Sequence, residues 1–274
     1  MEKIYLNIAG FTILCQVEDS EQKYHKEKFI KMLRKDYAGF ISNKTEKPDF
    51  VIKILSTHQV SLEIKSYAKN KNIKNFNILL FHINSKRRTL VAHNPLGSFD
   101  FEIAINMIIY HNLLPLFKGF ILHGSSIAYK GNSFIFEGRP GAGKSTTAQL
   151  LKGLCNILSD DSLIIRKVNN KFYSYQPIVN EKNFNFEKNG NAYLVNKVFF
   201  IRKAEECAIK EIKNKNLILQ KLIRQVFNYD NKVKLQFPVI AEFVNKTDFY
   251  YLYVKKDKKI FKEFFKNEVL KNEI

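Results

Sequence analysis

The sequence predicts an α/β protein whose mixed sheet feeds an antiparallel hairpin into a glycine-rich loop, with a smaller N-terminal α+β portion ahead of it. Three observations carry this expectation. The stretch IFEGRPGAGKSTTAQLL, Ile135 to Leu151, reads as strand, glycine-rich turn and helix. Just before it, FILHGSSIAYKGNSFIFEG consists of two apolar runs joined at Gly131-Asn132, a two-residue hairpin connection. A doubly wound sheet would reach such a loop through parallel crossovers, so a hairpin-fed loop implies a mixed sheet. Elsewhere, short β-patterned runs alternate with amphipathic helical ones.

Taken in order, Ile4, Leu6 and Ile8 alternate as a strand, Ala9-Gly10 turns, and Phe11 to Val17 returns. Residues 20–40 have helical spacing, with Phe29, Met32 and Leu33 on one face and lysines on the other. Strands are expected at Phe50–Leu55, Phe76–Ile83 and Thr89–Ala92, and a helix from Asp100 to Leu114 that Pro115 ends. A soft boundary near Pro115–Gly119 divides a portion 1–115 from a portion 116–274. Beyond the loop helix, Asn156 to Ser159 is a short strand that runs into Asp160-Asp161. Ser162 to Lys167 and Lys171 to Gln176 form a hairpin about Asn169-Asn170. Val198–Ile201 and Phe249–Val254 read as strands; Asn216–Tyr229, Val233–Phe243 and Phe261–Leu270 read as helices.

The spacing Gly138-x-x-x-x-Gly143-Lys144-Ser145 is the P-loop pattern. Glycines there let successive backbone N–H groups turn inward through φ angles that side chains forbid. The cradle expected for a nucleotide's phosphates is Gly138, Arg139, Pro140, Gly141, Ala142, Gly143, Lys144, Ser145 and Thr146. Lys144 would reach the β- and γ-phosphates and the Ser145 hydroxyl would ligate Mg²⁺. Arg139 could touch phosphate or stand in solvent.

Composition narrows the partners. A formal charge of +19 over 274 residues invites a nucleic-acid reading, and Lys23–Lys35 and Lys65–Arg88 concentrate the charge. No zinc-finger, RRM or helix-turn-helix signature accompanies it, so nucleic acid is disfavoured, while an acidic partner stays compatible with the charge. The apolar run Ile103–Leu122 is broken by Asn106, His111, Asn112, Pro115 and Lys118, which suits a buried helix and strand rather than a membrane span. Cys15, Cys155 and Cys207 are far apart and show no metal spacing. With no secretory signal read at the start, these features suit a reducing, cytoplasmic setting.

His123, Lys144 and the pair Asp160-Asp161 follow one another in LHGSS…GRPGAGKST…LSDDS. In this order and at these intervals the sequence resembles the catalytic half of the HPr kinase/phosphorylase family. That family's nucleotide site is similar to that of phosphoenolpyruvate carboxykinase, with the same hairpin-fed P-loop. The resemblance covers roughly Phe120 to Arg166. It implies that Lys144 and Ser145 contact phosphate and Mg²⁺, that Asp160 takes the proton of an acceptor hydroxyl, that Asp161 stands near the metal, and that His123 belongs to the site. Two departures speak against HPr itself as the acceptor and against the reverse phosphorylase activity. Thr146 replaces the family's acidic residue after the P-loop serine. The family's later glycine-rich segment has only QPIVNEKNFNFEKNGN in its place, where Glu181 or Glu187 could supply a late metal ligand.

The expected function is an ATP- and Mg²⁺-dependent kinase for a hydroxyl acceptor. Serine in a protein or peptide is favoured over a small molecule, and pyrophosphate remains open as donor. A nucleotide-binding accessory or sensor is the competing reading. The portion 1–115 is expected to select the acceptor, and a homo-oligomer is compatible with the sequence.

Overall fold

The computed structural model describes residues 1–18, 23–43, 47–55, 81–93, 98–178, 188–227 and 233–271. Most of the basic stretch Lys65–Arg88, the start of the strand expected at Phe76, the end of the helix expected to reach Tyr229, and Glu181 and Glu187 lie outside these residues. The chain divides into two compact units: Met1–Asn112 with Lys188–Gly190, and Leu113–Glu187 with Asn191–Ile274.

The first unit is a six-stranded mixed sheet. Strand β1 (Glu2–Ile8) and β2 (Phe11–Val17) form the expected hairpin, Ile8 opposite Phe11, with Ala9 and Gly10 both at positive φ. Helix α1 (Lys23–Asp36) links β2 to β4 (Phe50–Leu55), which pairs parallel to it. The short β3 (Ile41–Ser42) edges β1, while β5 (Phe81–Asn84) and β6 (Thr89–His93) complete the order β3-β1-β2-β4-β6-β5. Helix α2 (Ser98–Asn106) continues as a wider π-type turn over Met107–Leu113. Phe101 meets Phe29 and Tyr37 of this unit edge-on, with centroids 5.7 and 5.0 Å apart.

The second unit carries a nine-stranded mixed sheet. Its middle is parallel: β9 (Asn132–Glu137), β13 (Tyr193–Lys203) and β15 (Asp248–Val254) lie side by side and end at one edge. Antiparallel strands flank them: β8 (Ser125–Tyr129), β10 (Asn156–Ser159), β11 (Leu163–Val168), β12 (Lys171–Tyr175), β7 (Gly119–Leu122) and β14 (Ala208–Glu211). The hairpin-fed loop strand is present. Its turn is one residue earlier than expected: Lys130 and Gly131 take φ 47° and 80°, and Asn132 pairs with Tyr129 as the first residue of β9. Two successive positive φ values make the mirror-image turn that matches strand twist, and glycine fills its second place. Asn169 and Asn170, at φ 46° and 65°, make the same kind of turn between β11 and β12.

Alternation along the strands divides the interior. Ile135, Val198, Phe200 and Phe249 pack under helices α4 (Lys215–Ile223) and α5 (Val233–Lys246). Phe134, Phe136, Phe199, Ile201, Leu252 and Val254 pack on the other face, with α3 (Lys144–Leu150) and α6 (Lys258–Phe264). Each fully buried aromatic here contributes on the order of 1.5–3 kcal/mol over exposure. Side-chain caps start two of the helices: Asn214 accepts from the Leu217 amide and Asp257 from the Ile260 amide, each at 3.0 Å. Strand β14 was not anticipated; its pattern of four mostly exposed residues carries no apolar signal.

Candidate active site

The strands β7–β8 and β10–β11 form one antiparallel ladder that opens in the middle. Leu122 pairs with Leu163 and Ser126 with Ser159, so the same register runs on both sides of the opening. His123-Gly124-Ser125 lies opposite Asp160-Asp161-Ser162 at the gap. The gap is stitched rather than empty. The Gly124 amide donates to the Asp161 carbonyl at 3.1 Å, and the Ser125 hydroxyl donates to the Asp160 carbonyl at 2.7 Å. Ser125 is fully buried and its oxygen also lies 3.4 Å from Asp160 Oδ1. One pair of residues further on, the hydroxyls of Ser126 and Ser159 meet at 3.0 Å.

The two aspartates face different surroundings. Asp160 is 9% exposed and turned towards Ser125. The Asp161 side chain is 70% exposed, with Oδ1 3.3 Å from His123 Nδ1, an ion pair whenever that histidine is protonated. His123 is held from two sides. Its amide donates to the Gln225 carbonyl at 2.7 Å, and its ring meets Phe227 edge-on at 5.8 Å.

The glycine-rich loop joins β9 to α3. Gly143, at φ 103° and ψ 20°, caps the helix in the left-handed region, and Gly141 sits at φ 76°. A side chain at either would strain the backbone. The Ala142 amide donates to the Arg139 carbonyl at 3.0 Å, closing the turn. The Lys144 ammonium donates to the Gly138 carbonyl at 2.9 Å, so the lysine folds across its own loop and is 8% exposed. Thr147 bonds the Gly143 carbonyl at 2.8 Å through both amide and hydroxyl. Arg139, Pro140, Gly141 and Thr146 are exposed, and Ser145 is half-buried.

Glu137, the last residue of β9, was not singled out in the sequence. It is fully buried, and among the described residues neither carboxylate oxygen has a well-formed hydrogen-bond partner. Burial pushes its pKa well above the usual carboxylate range; the Lys144 charge and the Gly138 amide pull the other way and are outweighed. A β-carbon at Gly124 would stand 2.5 Å from Glu137 Oε1, so the absence of a side chain at Gly124 makes room for this carboxyl. Glu137 therefore links the two halves of the site: it feels Lys144 on one side and abuts the His123-Gly124 break on the other. The only sequence signal was an acid closing an otherwise apolar strand.

On the α3 side of the sheet a cleft of about 920 Å³ opens beside the loop. Gly143, Lys144 and Ser145 form one wall, Leu150, Ile201 and Val254 give it apolar surface, and Lys203, Lys255 and Lys256 add positive charge. It sits at the carboxyl ends of the parallel strands β13 and β15, where α/β sheets commonly bind ligands. Among the described residues no three His, Cys, Asp or Glu side chains converge on one point. The available donors are hydroxyl and carboxylate oxygens, a set that suits Mg²⁺ carried in by phosphates and water better than a resident all-protein metal cage. Among the described residues no helix is long and apolar enough to cross a membrane.

Comparison with known proteins adds two findings. Residues 100–226, under half of the chain, match the family model described as SynChlorMet cassette protein ScmC. No curated protein sequence matches the chain. The solved structure of the HPr(Ser) kinase/phosphatase from Coxiella burnetii is similar at 10% identity, over 56% of this chain and 99% of that one, with a TM-score of 0.34. That likeness is weak, and the architecture described above rests on this chain's own topology.

Proposed function

We propose that this protein is an ATP- and Mg²⁺-dependent phosphotransferase acting on a hydroxyl acceptor, with serine in a peptide or protein as the favoured acceptor. The observation that carries the reading is the meeting of two separate sequence features at one sheet end. Lys144 of the glycine-rich loop and the Asp160-Asp161 break are joined through Glu137 and Gly124. Binding of a Mg²⁺–nucleotide uses one carboxylate beside the metal; a second carboxylate is what transfer to a hydroxyl adds, as proton acceptor.

In this reading the loop is a P-loop. Its backbone amides and Lys144 hold the β- and γ-phosphates, the lysine exchanging the Gly138 carbonyl for phosphate oxygen. The apolar surface beyond Ser145 favours a nucleoside over bare pyrophosphate as donor. Ser145 and Asp161 would hold Mg²⁺, which neutralises phosphate charge when bound. Asp160 receives the acceptor's hydroxyl proton as the new P–O bond forms and the bond to the β-phosphate oxygen breaks, releasing ADP. Ser125, bonded to the Asp160 main chain, holds that carboxylate at the break. His123 orients Asp161.

A binding-only nucleotide sensor is the alternative. The two separate on a paired measurement: Mg²⁺-dependent ATP affinity by calorimetry, and single-turnover transfer of labelled γ-phosphate to serine peptides and small alcohols. Lys144→Ala is expected to lose nucleotide affinity, since a hydrogen bond to a charged group contributes about 1.5–3 kcal/mol. Asp160→Asn is expected to keep affinity while transfer falls on the order of 10²–10⁴-fold. Binding without transfer to any hydroxyl would establish the sensor instead.

A further inference from the structure

The sheet face opposite the cleft carries a strip of cations laid over aromatic rings. Strand pairing builds it in two rows. Phe200, Tyr251 and Lys210 are register partners across β13, β15 and β14; Arg202, Tyr253 and Ala208 form the next row. The Arg202 guanidinium stacks 3.9 Å from the Tyr251 centroid and reaches Tyr253 at 5.8 Å. The Lys221 ammonium, from α4, lies 5.7 Å from Tyr251 and 5.6 Å from Phe200. Two positive groups thus share one tyrosine. Arg202 and Lys210 are exposed. Among the described residues, no carboxylate pairs with Arg202, Lys210 or Lys221, whereas Glu242 is taken up by Lys167 and Lys246. Glu211 pairs with Tyr250 and so falls on the other face, and Glu205 lines the cleft.

The strip also leads somewhere. Glu137 shares the strand parity of Ile135 and is the register partner of Phe200, two residues before Arg202. The chain leaving α4 passes from Lys221 to Gln225 and Phe227, which hold His123. The cleft and the strip therefore occupy opposite faces of the same sheet end, and β9 and β8 lie between β13 and the ladder break.

We propose that Arg202, Lys210 and Lys221 dock an acidic peptide segment of the phosphate acceptor on the sheet face opposite the cleft. This rests on the phosphotransferase reading above. Two like charges held over one ring repel, and an anion between them relieves the repulsion. The guanidinium fork matches a carboxylate bidentately. A nucleic acid fits less well, because single strands bind by stacking bases on open ring faces, and Tyr251 is already stacked against Arg202 and flanked by Lys221. Donor and docking segment are then held on opposite faces of one sheet, and recognition of acidic residues in the acceptor belongs to the second unit.

The test is fluorescence anisotropy on the full chain with three labelled probes: a serine peptide flanked by Asp and Glu, its Asn/Gln counterpart, and an oligothymidylate of similar charge. Variants are Lys210→Glu, which alters an exposed strand residue, the double change Arg202→Glu/Lys221→Glu, and Arg202→Lys. The expected result is salt-sensitive binding of the acidic peptide only, weakened about tenfold or more by the double change. Lys210→Glu should weaken it less, Arg202→Lys should cause an intermediate loss because it keeps the charge but not the fork, and Mg²⁺–ATP affinity should be unchanged throughout. Three results would overturn the inference: equal binding to wild type and Lys210→Glu and the double variant, no binding by a wild type that binds Mg²⁺–ATP, or oligothymidylate bound more tightly and lost in the same variants. If wild type binds the peptide at the strip but does not bind Mg²⁺–ATP, the phosphotransferase reading fails and the docking surface stands.

Discussion

Replacing Glu137 by glutamine removes a titrating group that the fold has taken out of water. The carboxyl has no exposure and, among the described residues, no well-formed hydrogen bond, so its ionised form is penalised in the folded protein. Its folded-state pKa lies well above the ordinary 4.5, which an unfolded chain restores. The sign follows from proton counting. Below about pH 4.5 both states hold the proton and Glu137 adds no pH dependence. Above it the unfolded chain releases the proton while the folded one keeps it, so wild-type stability falls as pH rises, until the folded carboxyl also ionises. The slope is about 1.4 kcal/mol per pH unit for one proton. Between pH 5 and 7 the wild type therefore loses at most about 3 kcal/mol that Glu137→Gln does not lose. The buried amide brings its own unpaired donors, at a cost of about 1–3 kcal/mol, but that cost is independent of pH. Urea unfolding of both proteins at pH 4, 5, 6 and 7 isolates the effect, because other titrating groups cancel in the difference. Glu137→Met, close in size and apolar, should show the same pH trend and exceed wild-type stability at pH 7. At pH 5, just above the ordinary carboxylate range, the wild type should also show a carboxylic-acid infrared band that both variants lack. A wild-type–variant difference that stays flat from pH 4 to 7 would refute the buried, proton-holding carboxyl.

Other expectations concern the ladder break and the thiols. Gly124→Ala would place a β-carbon 2.5 Å from Glu137 Oε1 and 2.9 Å from the Phe136 carbonyl, and should cost about 1–3 kcal/mol in thermal unfolding. Asp161→Asn should weaken Mg²⁺-dependent nucleotide affinity, since an amide is a poorer ligand for a hard cation, while metal-free affinity is less affected; calorimetry with and without Mg²⁺ separates the two. Burial pushes the Cys15 and Cys155 thiols up to about 12, the latter against the pull of Lys262, while Cys207 is only partly buried. Native protein should therefore release one equivalent in a thiol assay near neutral pH, and all three after denaturation.

Much of the second unit's local structure was readable because it rests on local physics. The glycine spacing Gly138 to Gly143 specifies a loop through backbone sterics alone, and Lys144 and Ser145 follow as neighbours. Apolar runs marked β9 and β15, alternation marked β11, and the asparagine pair Asn169-Asn170 marked its turn, because asparagine tolerates the left-handed region. The hairpin turn was displaced by one residue because Lys130, a residue without turn preference, took the first left-handed place. The adjacency of His123, Asp160 and Asp161 was reached through resemblance; their spacing does not contain it.

Only the tertiary structure decided where these pieces meet. His123-Gly124-Ser125 and Asp160-Asp161-Ser162 face each other because two strands more than thirty residues apart share one register through an open gap. No local pattern records which strand a chain will pair with. Glu137 gained its role from Gly124 making space for it and from Lys144 folding back over the loop. The strip of Arg202, Lys210 and Lys221 exists because β13, β14 and α4 come together around Tyr251; in the sequence the three are scattered among 45 lysines and arginines. Residue type sets what a side chain can do, and local spacing sets the loop it stands in. Long-range strand pairing sets which groups share a site, because that choice is made by burial and hydrogen bonding summed over the whole sheet.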